Sequence, residues 1–160
     1  MDVFAIAGLV LSGLSAILDT AGLAIPYWSY LSLGKSTVNS GLWSYCSSSG
    51  DVSACVTIAT ASGTLAGVRA MVVLGLLLMI GAVVCFLLQK FMMKDKVILT
   101  KVAAGLAILA GIFMLIGPVI YATSKELKVE GSSLHAGFAL CIVAAVLGIA
   151  GGVCMFINKE

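Results

Sequence analysis

Charge is what this chain has least of. Only 10% of its 160 residues are Asp, Glu, Lys or Arg, while 61% are hydrophobic; a soluble domain carries about a quarter charged residues, so a water-soluble globule is excluded. Histidine occurs once, at His135, and a lone imidazole makes neither a zinc site nor a catalytic triad. No glycine-rich loop with a lysine is present to cradle a phosphate, no paired carboxylates lie in a water-facing segment, and no basic patch has the strength that nucleic acid demands. The sequence thus offers no catalytic, cofactor-binding or metal-ligating set. It reads as neither an enzyme nor a nucleic-acid binder, and no cofactor is expected. A stand-alone transporter would call for more than one intramembrane ion pair and for helices broken at mid-depth, and neither is visible.

What the chain does have is long apolar runs. A hydrocarbon core of about 30 Å needs about 20 helical residues, and four stretches qualify, at about 3–25, 66–88, 102–122 and 136–157. The expectation is one tetraspan domain over 1–160. Within the four spans only Asp19 and Arg69 are charged. The first run follows Asp2 rather than a basic start and is too long for a signal peptide, so it is expected to stay as helix 1. The segment at about 89–101 holds Lys90, Lys94, Lys96 and Lys101 against Asp95, which places it, and with it both termini, on the cytoplasmic side. The loops at about 26–65 and 123–135 then lie outside, where thiols oxidise and stay oxidised.

In the first outer loop stands the tract SGLWSYCSSSGDVSAC, residues 40–55. If Cys46 and Cys55 face each other on two strands, the pairing centres between Gly50 and Asp51 and leaves them as a two-residue loop, with glycine where a type II′ turn wants it. Such a register places the cysteines at a non-hydrogen-bonded pair, near the short end of disulfide geometry. The competing reading is two free thiols in a flexible loop; the outer compartment and the centred turn favour the bridge. The flanking runs at 27–33 and 55–60 are β-branched and aromatic with rough alternation, so a small antiparallel sheet on a helical bundle is expected.

The helices carry small-residue stripes. Gly8, Ser12, Ser15 and Asp19 share one face of helix 1; Gly137, Cys141, Ala144, Gly148 and Gly152 share one of helix 4; Ala103, Ala107 and Gly111 share one of helix 3. All three read as close helix packing. Asp19 then points into the bundle, with Arg69 as its nearest candidate partner for an intramembrane pair. The alternative is an Arg69 that reaches the outer interface or loop carbonyls, with Asp19 neutral or bonded to hydroxyls. Pro118 should kink helix 3 near its outer end, because it lacks an N–H and crowds the carbonyl four residues back. Cys85 and Cys154, near the inner ends of helices 2 and 4, are in reach of S-palmitoylation, though a cysteine so placed is more often a small apolar filler.

Trp28 just after helix 1, then Gly41-Leu42-Trp43, Cys46 and Cys55, with Arg69 opening helix 2, resemble the W-GLW-C-C signature of the claudin, peripheral myelin protein and epithelial membrane protein superfamily. The resemblance extends over the whole layout of four helices, a larger first outer loop, a short basic inner loop and a smaller second outer loop. It implies a mainly α membrane protein: a left-handed four-helix bundle capped by an extracellular antiparallel sheet, the cysteines bridged and the Trp and Gly-Leu-Trp residues tucked between sheet and bundle. It also implies a claudin-like structural role at cell–cell contacts in the plasma membrane, as a self-associating barrier or adhesion protein. Its partners would be membrane lipid, further copies and related tetraspan proteins.

Departures from typical claudins are a first loop that is shorter between Cys55 and Arg69, where claudins place an extracellular helix, and an end at Glu160 without a scaffold-binding tail. Those features resemble the myelin and epithelial membrane proteins, organisers of membrane that often carry a first-loop glycosylation sequon. Here Asn39-Ser40-Gly41 and Asn158-Lys159-Glu160 both fail that rule. Channel gamma-type subunits share the Gly-Leu-Trp signature, so an auxiliary subunit of an ion channel or receptor is the other alternative.

Overall fold

The computed structural model describes residues 2–93, 96–128 and 130–158; Lys94 and Asp95 of the basic inner segment lie outside them. Four helices, α1 (Val3–Ala24), α2 (Gly63–Phe91), α3 (Ile98–Thr123) and α4 (Ala136–Ile157), are each long and apolar enough to cross a membrane. Between α1 and α2 run four strands, β1 (Ser29–Leu33), β2 (Ser36–Ser40), β3 (Ser44–Ser49) and β4 (Val52–Thr57), and a fifth, β5 (Ser133–Leu134), precedes α4. The strands form one antiparallel sheet in the order β4-β3-β2-β1-β5. The mainly helical, sheet-capped architecture expected from the sequence is present.

Local chemistry explains several boundaries. The Ser62 hydroxyl accepts from the Leu65 N–H at 3.3 Å, and this N-cap starts α2 three residues ahead of the apolar run. Two hairpins, β1–β2 and β3–β4, use the same device: Gly34-Lys35 joins Leu33 to Ser36, and Gly50-Asp51 joins Ser49 to Val52. In each the glycine alone has a positive φ, 62° at Gly34 and 59° at Gly50, which is the II′ pattern that suits strand twist. In the second hairpin Cys46 faces Cys55 across a Cα separation of 4.1 Å, and the two are bridged. Cys85, Cys141 and Cys154 are free.

Around the bundle α1 packs mainly on α4, α4 on α3 and α3 on α2, with a lighter contact from α1 to α2. Without a hydrophobic drive between helices in lipid, close van der Waals approach has to hold such seams. Gly111 of α3 shows how close: a Cβ there would lie 2.8 Å from the Ala145 carbonyl oxygen of α4. The stripes read from the sequence on α1, α3 and α4 are the buried faces of those helices. The core has three levels: aromatic and aliphatic under the sheet (Trp28, Leu42, Val68, Tyr121), Met and Ala in the middle (Met79, Met114, Ala144), and Ala5, Phe86 and Met155 at the far end. Pro118 is buried within α3, which continues to Thr123.

Candidate functional site

The residues of the signature meet where the sheet joins the bundle. Trp28 leaves α1 just before β1 and is fully buried. Its Nε1 donates to the Gly22 carbonyl at 2.8 Å, and its ring meets Tyr121 edge-on at 5.1 Å and Phe138 at 6.4 Å. A buried indole of this kind combines a large apolar body with a satisfied donor. Its backbone is pinned on both sides: the Trp28 N–H donates to the Ser40 carbonyl at 2.8 Å, and its own carbonyl accepts from His135 N–H at 3.0 Å. Trp28 therefore ties α1, β2 and the start of α4 together.

The Gly41-Leu42-Trp43 turn lies against this anchor. A Cβ on Gly41 would sit 2.6 Å from the Cα of Pro26 and 2.9 Å from the Ile25 carbonyl oxygen, so only glycine lets the two backbones approach. Leu42 is fully buried in the cluster under the sheet. Its carbonyl accepts from Arg69 Nε at 2.8 Å, and an Arg69 terminal nitrogen donates to the Ile58 carbonyl at 3.4 Å. Trp43 is not tucked between sheet and bundle, as the resemblance implied. It is 42% exposed, and its ring instead covers the guanidinium at 4.7 Å, a cation–π contact that shields the charge. The Ile58 N–H donates to the Trp43 carbonyl at 2.8 Å, so one arginine on α2 closes the loop where the chain leaves and returns to the sheet.

Of the two readings of Asp19 and Arg69, the contact between them is not formed and the reach of Arg69 to loop carbonyls is. Asp19 is fully buried, and neither carboxylate oxygen has a hydrogen-bond partner; the Cys141 thiol of α4 neighbours it without completing a bond. The reason is helix order. The Asp19 stripe faces α4, as Ser15 shows by donating to the Ala144 carbonyl at 2.7 Å and Gly22 by abutting Cys141. Arg69 lies in the second turn of α2 and reaches to loop carbonyls instead.

Tyr121, Ser29 and Phe138 belong to this joint and were not singled out from the sequence. Tyr121 Oη bonds Ser29 Oγ at 3.1 Å and links α3 to β1. The available signal was a tyrosine at the outer end of a span, where its ring is apolar and its hydroxyl seeks a partner. Among the described residues no group of three or more His, Cys, Asp or Glu could hold a metal ion. The arrangement is a mechanical joint, built to fix a stapled sheet on a helical bundle.

Comparison with curated proteins gives no match. A family model described as the PMP-22/EMP/MP20/Claudin family matches residues 1–155, which takes in three spans whole, the fourth but for its last two residues, the sheet and the joint just described, and this chain belongs to that family.

Proposed function

We propose that this protein is a claudin-like structural component of cell–cell contacts, lying in the plasma membrane with its sheet outside and both termini in the cytoplasm, where it associates with further copies to form or regulate a barrier. The observation that carries this reading is the free edge of the sheet. Strand β4 is an edge strand with every residue exposed, without charge, and with Val52 and Val56 at 72% and 55% exposure. Such an edge, held rigid by the disulfide and by the Arg69 joint, is a surface that soluble monomers usually blunt with charge or proline. The sidedness is supported by the disulfide at the sheet end and by Lys90, Lys96 and Lys101 at the opposite end.

The test is expression in cells without junction strands of their own, with freeze-fracture of the contacts and affinity purification in parallel. Strands or particle rows at contacts are the expected result. Isolated particles together with a channel or receptor co-purified at fixed stoichiometry would replace this reading with an auxiliary-subunit role, and isolated particles without one with a myelin-type organiser.

A further inference from the structure

Just beyond α3 the chain turns at residues 125–127. The Lys128 N–H donates to the Ser124 carbonyl at 3.3 Å, which closes that turn and sets Lys125 and Lys128, three positions apart, on one side of it. Between the turn and the end of α3 opens a cleft of about 580 Å³ walled by Thr123, Ser124, Lys125, Lys128, Glu130 and Ser132, within the range of about 300–1,000 Å³ usual for small-ligand sites.

Both signs of charge line this cleft. Lys125 and Lys128 share its lining with Glu130 and with the C-terminal end of α3, whose last carbonyls amount to about half a negative charge. The wall also holds the Ser132 hydroxyl, buried and without a hydrogen-bond partner among the described residues. Thr123 Oγ1 is already engaged with the Val119 and Ile120 carbonyls at 2.9 and 3.2 Å, so the lysines and the Ser132 hydroxyl are the side-chain donors left for a ligand. Depth narrows the ligand further. Because α3 is a membrane span that ends at Thr123, the cleft lies at the boundary where lipid headgroups sit.

We propose that this cleft seats the headgroup of a zwitterionic phospholipid, with Lys125 and Lys128 on the phosphodiester and Glu130 with the end of α3 on the ammonium. A purely anionic headgroup would satisfy the lysines but set like charge against Glu130 and the helix end; a purely cationic ligand would meet the reverse fault. A phosphodiester with an ammonium two carbons away satisfies both. The proposal requires α3 to span a bilayer and is independent of the role at cell contacts.

Native mass spectrometry of the full chain released from a mild non-ionic detergent tests it, with dioleoyl phosphatidylcholine, phosphatidylethanolamine or phosphatidylglycerol added. The choline and ethanolamine lipids should be retained at least about fivefold better than the glycerol lipid, and Lys125→Gln with Lys128→Gln should cut their retention by about tenfold or more, since a hydrogen bond to a charged group contributes on the order of a tenfold factor. Glu130→Gln should instead move the preference toward phosphatidylglycerol. Soluble glycerophosphocholine in hundredfold excess should compete, which separates headgroup recognition from adhesion of acyl chains. Equal retention of all three lipids, indifference to the double lysine change, or failure of glycerophosphocholine to compete would each overturn the proposal. Lys125 and Glu130 are exposed and Lys128 half-buried; an unchanged unfolding temperature and an intact Cys46–Cys55 bridge confirm that the variants fold.

Discussion

The Arg69 guanidinium lies 4.7 Å from the centre of the Trp43 ring while its Nε holds the Leu42 carbonyl at 2.8 Å, so a charge at the mouth of the bundle is both shielded and put to use by two consecutive residues of one turn. A hydrogen bond from a charged donor contributes about 1.5–3 kcal/mol. Arg69→Ala should therefore lower stability by about 2–3 kcal/mol, and Arg69→Lys should recover less than half of it, because an ammonium cannot span two carbonyls as the planar fork does. Thermal unfolding in detergent reads both. With Asp19 turned toward α4, Asp19→Ala and Arg69→Ala should add, with a coupling below about 0.5 kcal/mol in a double-mutant cycle. A larger coupling would mean that the two charges meet after all.

Gly41 and Gly81 should respond in opposite ways to the same methyl group. At Gly41 a Cβ collides with the backbone of Pro26 and Ile25, whereas at Gly81, within α2, nothing lies within 4 Å. Backbone cannot swing aside as a side-chain tip can. Gly41→Ala should lower surface delivery several-fold and drop the unfolding temperature, while Gly81→Ala should be neutral or stabilising by up to about 1 kcal/mol through helix propensity. Equal tolerance at both positions would show that the Gly41 turn has room to relax.

These residues also show what could be read in advance. Spans, stapled hairpin and small-residue faces were legible because each rests on local spacing: run length, a centred Gly50-Asp51, a repeat of three and four. Strand β2 was not foreseen, although Gly34-Lys35 is the same Gly-X hairpin signal as Gly50-Asp51; the run STVNS alternates too weakly to read as a strand without its neighbours. Strand β5 pairs only Ser133 and Leu134 with Tyr30 and Ser29, and two residues carry no periodicity at all. Whether Asp19 pairs with Arg69 or Arg69 turns to loop carbonyls stayed open in the sequence for a global reason. Depth in the membrane can be counted along a helix, but which helix stands beside which cannot, and here α1 turns its polar face to α4.

The bridge between Cys46 and Cys55 closes a loop of about ten residues, which on the chain-entropy model stabilises the hairpin by about 2.7 kcal/mol. An isolated hairpin is marginal in water, and β3 and β4 form the end of the sheet farthest from β5 and α4. Non-reducing peptide mapping should find this one link, with Cys85, Cys141 and Cys154 alkylated. Cys46→Ser should reduce surface delivery more than Cys141→Ser, since the latter only trims one small buried filler. Recovery of Cys46 and Cys55 as free thiols without reduction would remove the staple from the account.

Selectivity follows from the charges on the sheet end, should the protein seal or line a space between cells. The loop that holds β1 to β4 contains only Lys35 and Asp51, and the one that leads to β5 sets Lys125 and Lys128 against Glu126 and Glu130, so each sums to zero. A pathway that sorts ions by sign needs a ring of like charge where they pass. Asp51 occupies a hairpin tip, where it serves the turn, and the Glu126 carboxylate accepts from Thr64 Oγ1 at 3.1 Å, which draws it toward the start of α2. The lysines that remain line one cleft together with Glu130 and offer no unopposed field. The expected outcome is a barrier, or a pathway with weak charge preference. Dilution potentials across a monolayer expressing this protein should lie close to those of the parent cells. A strong sodium-over-chloride preference, or its reverse, that disappears on Asp51→Asn or Lys35→Gln would place a charged ring on the sheet that a single protomer does not reveal.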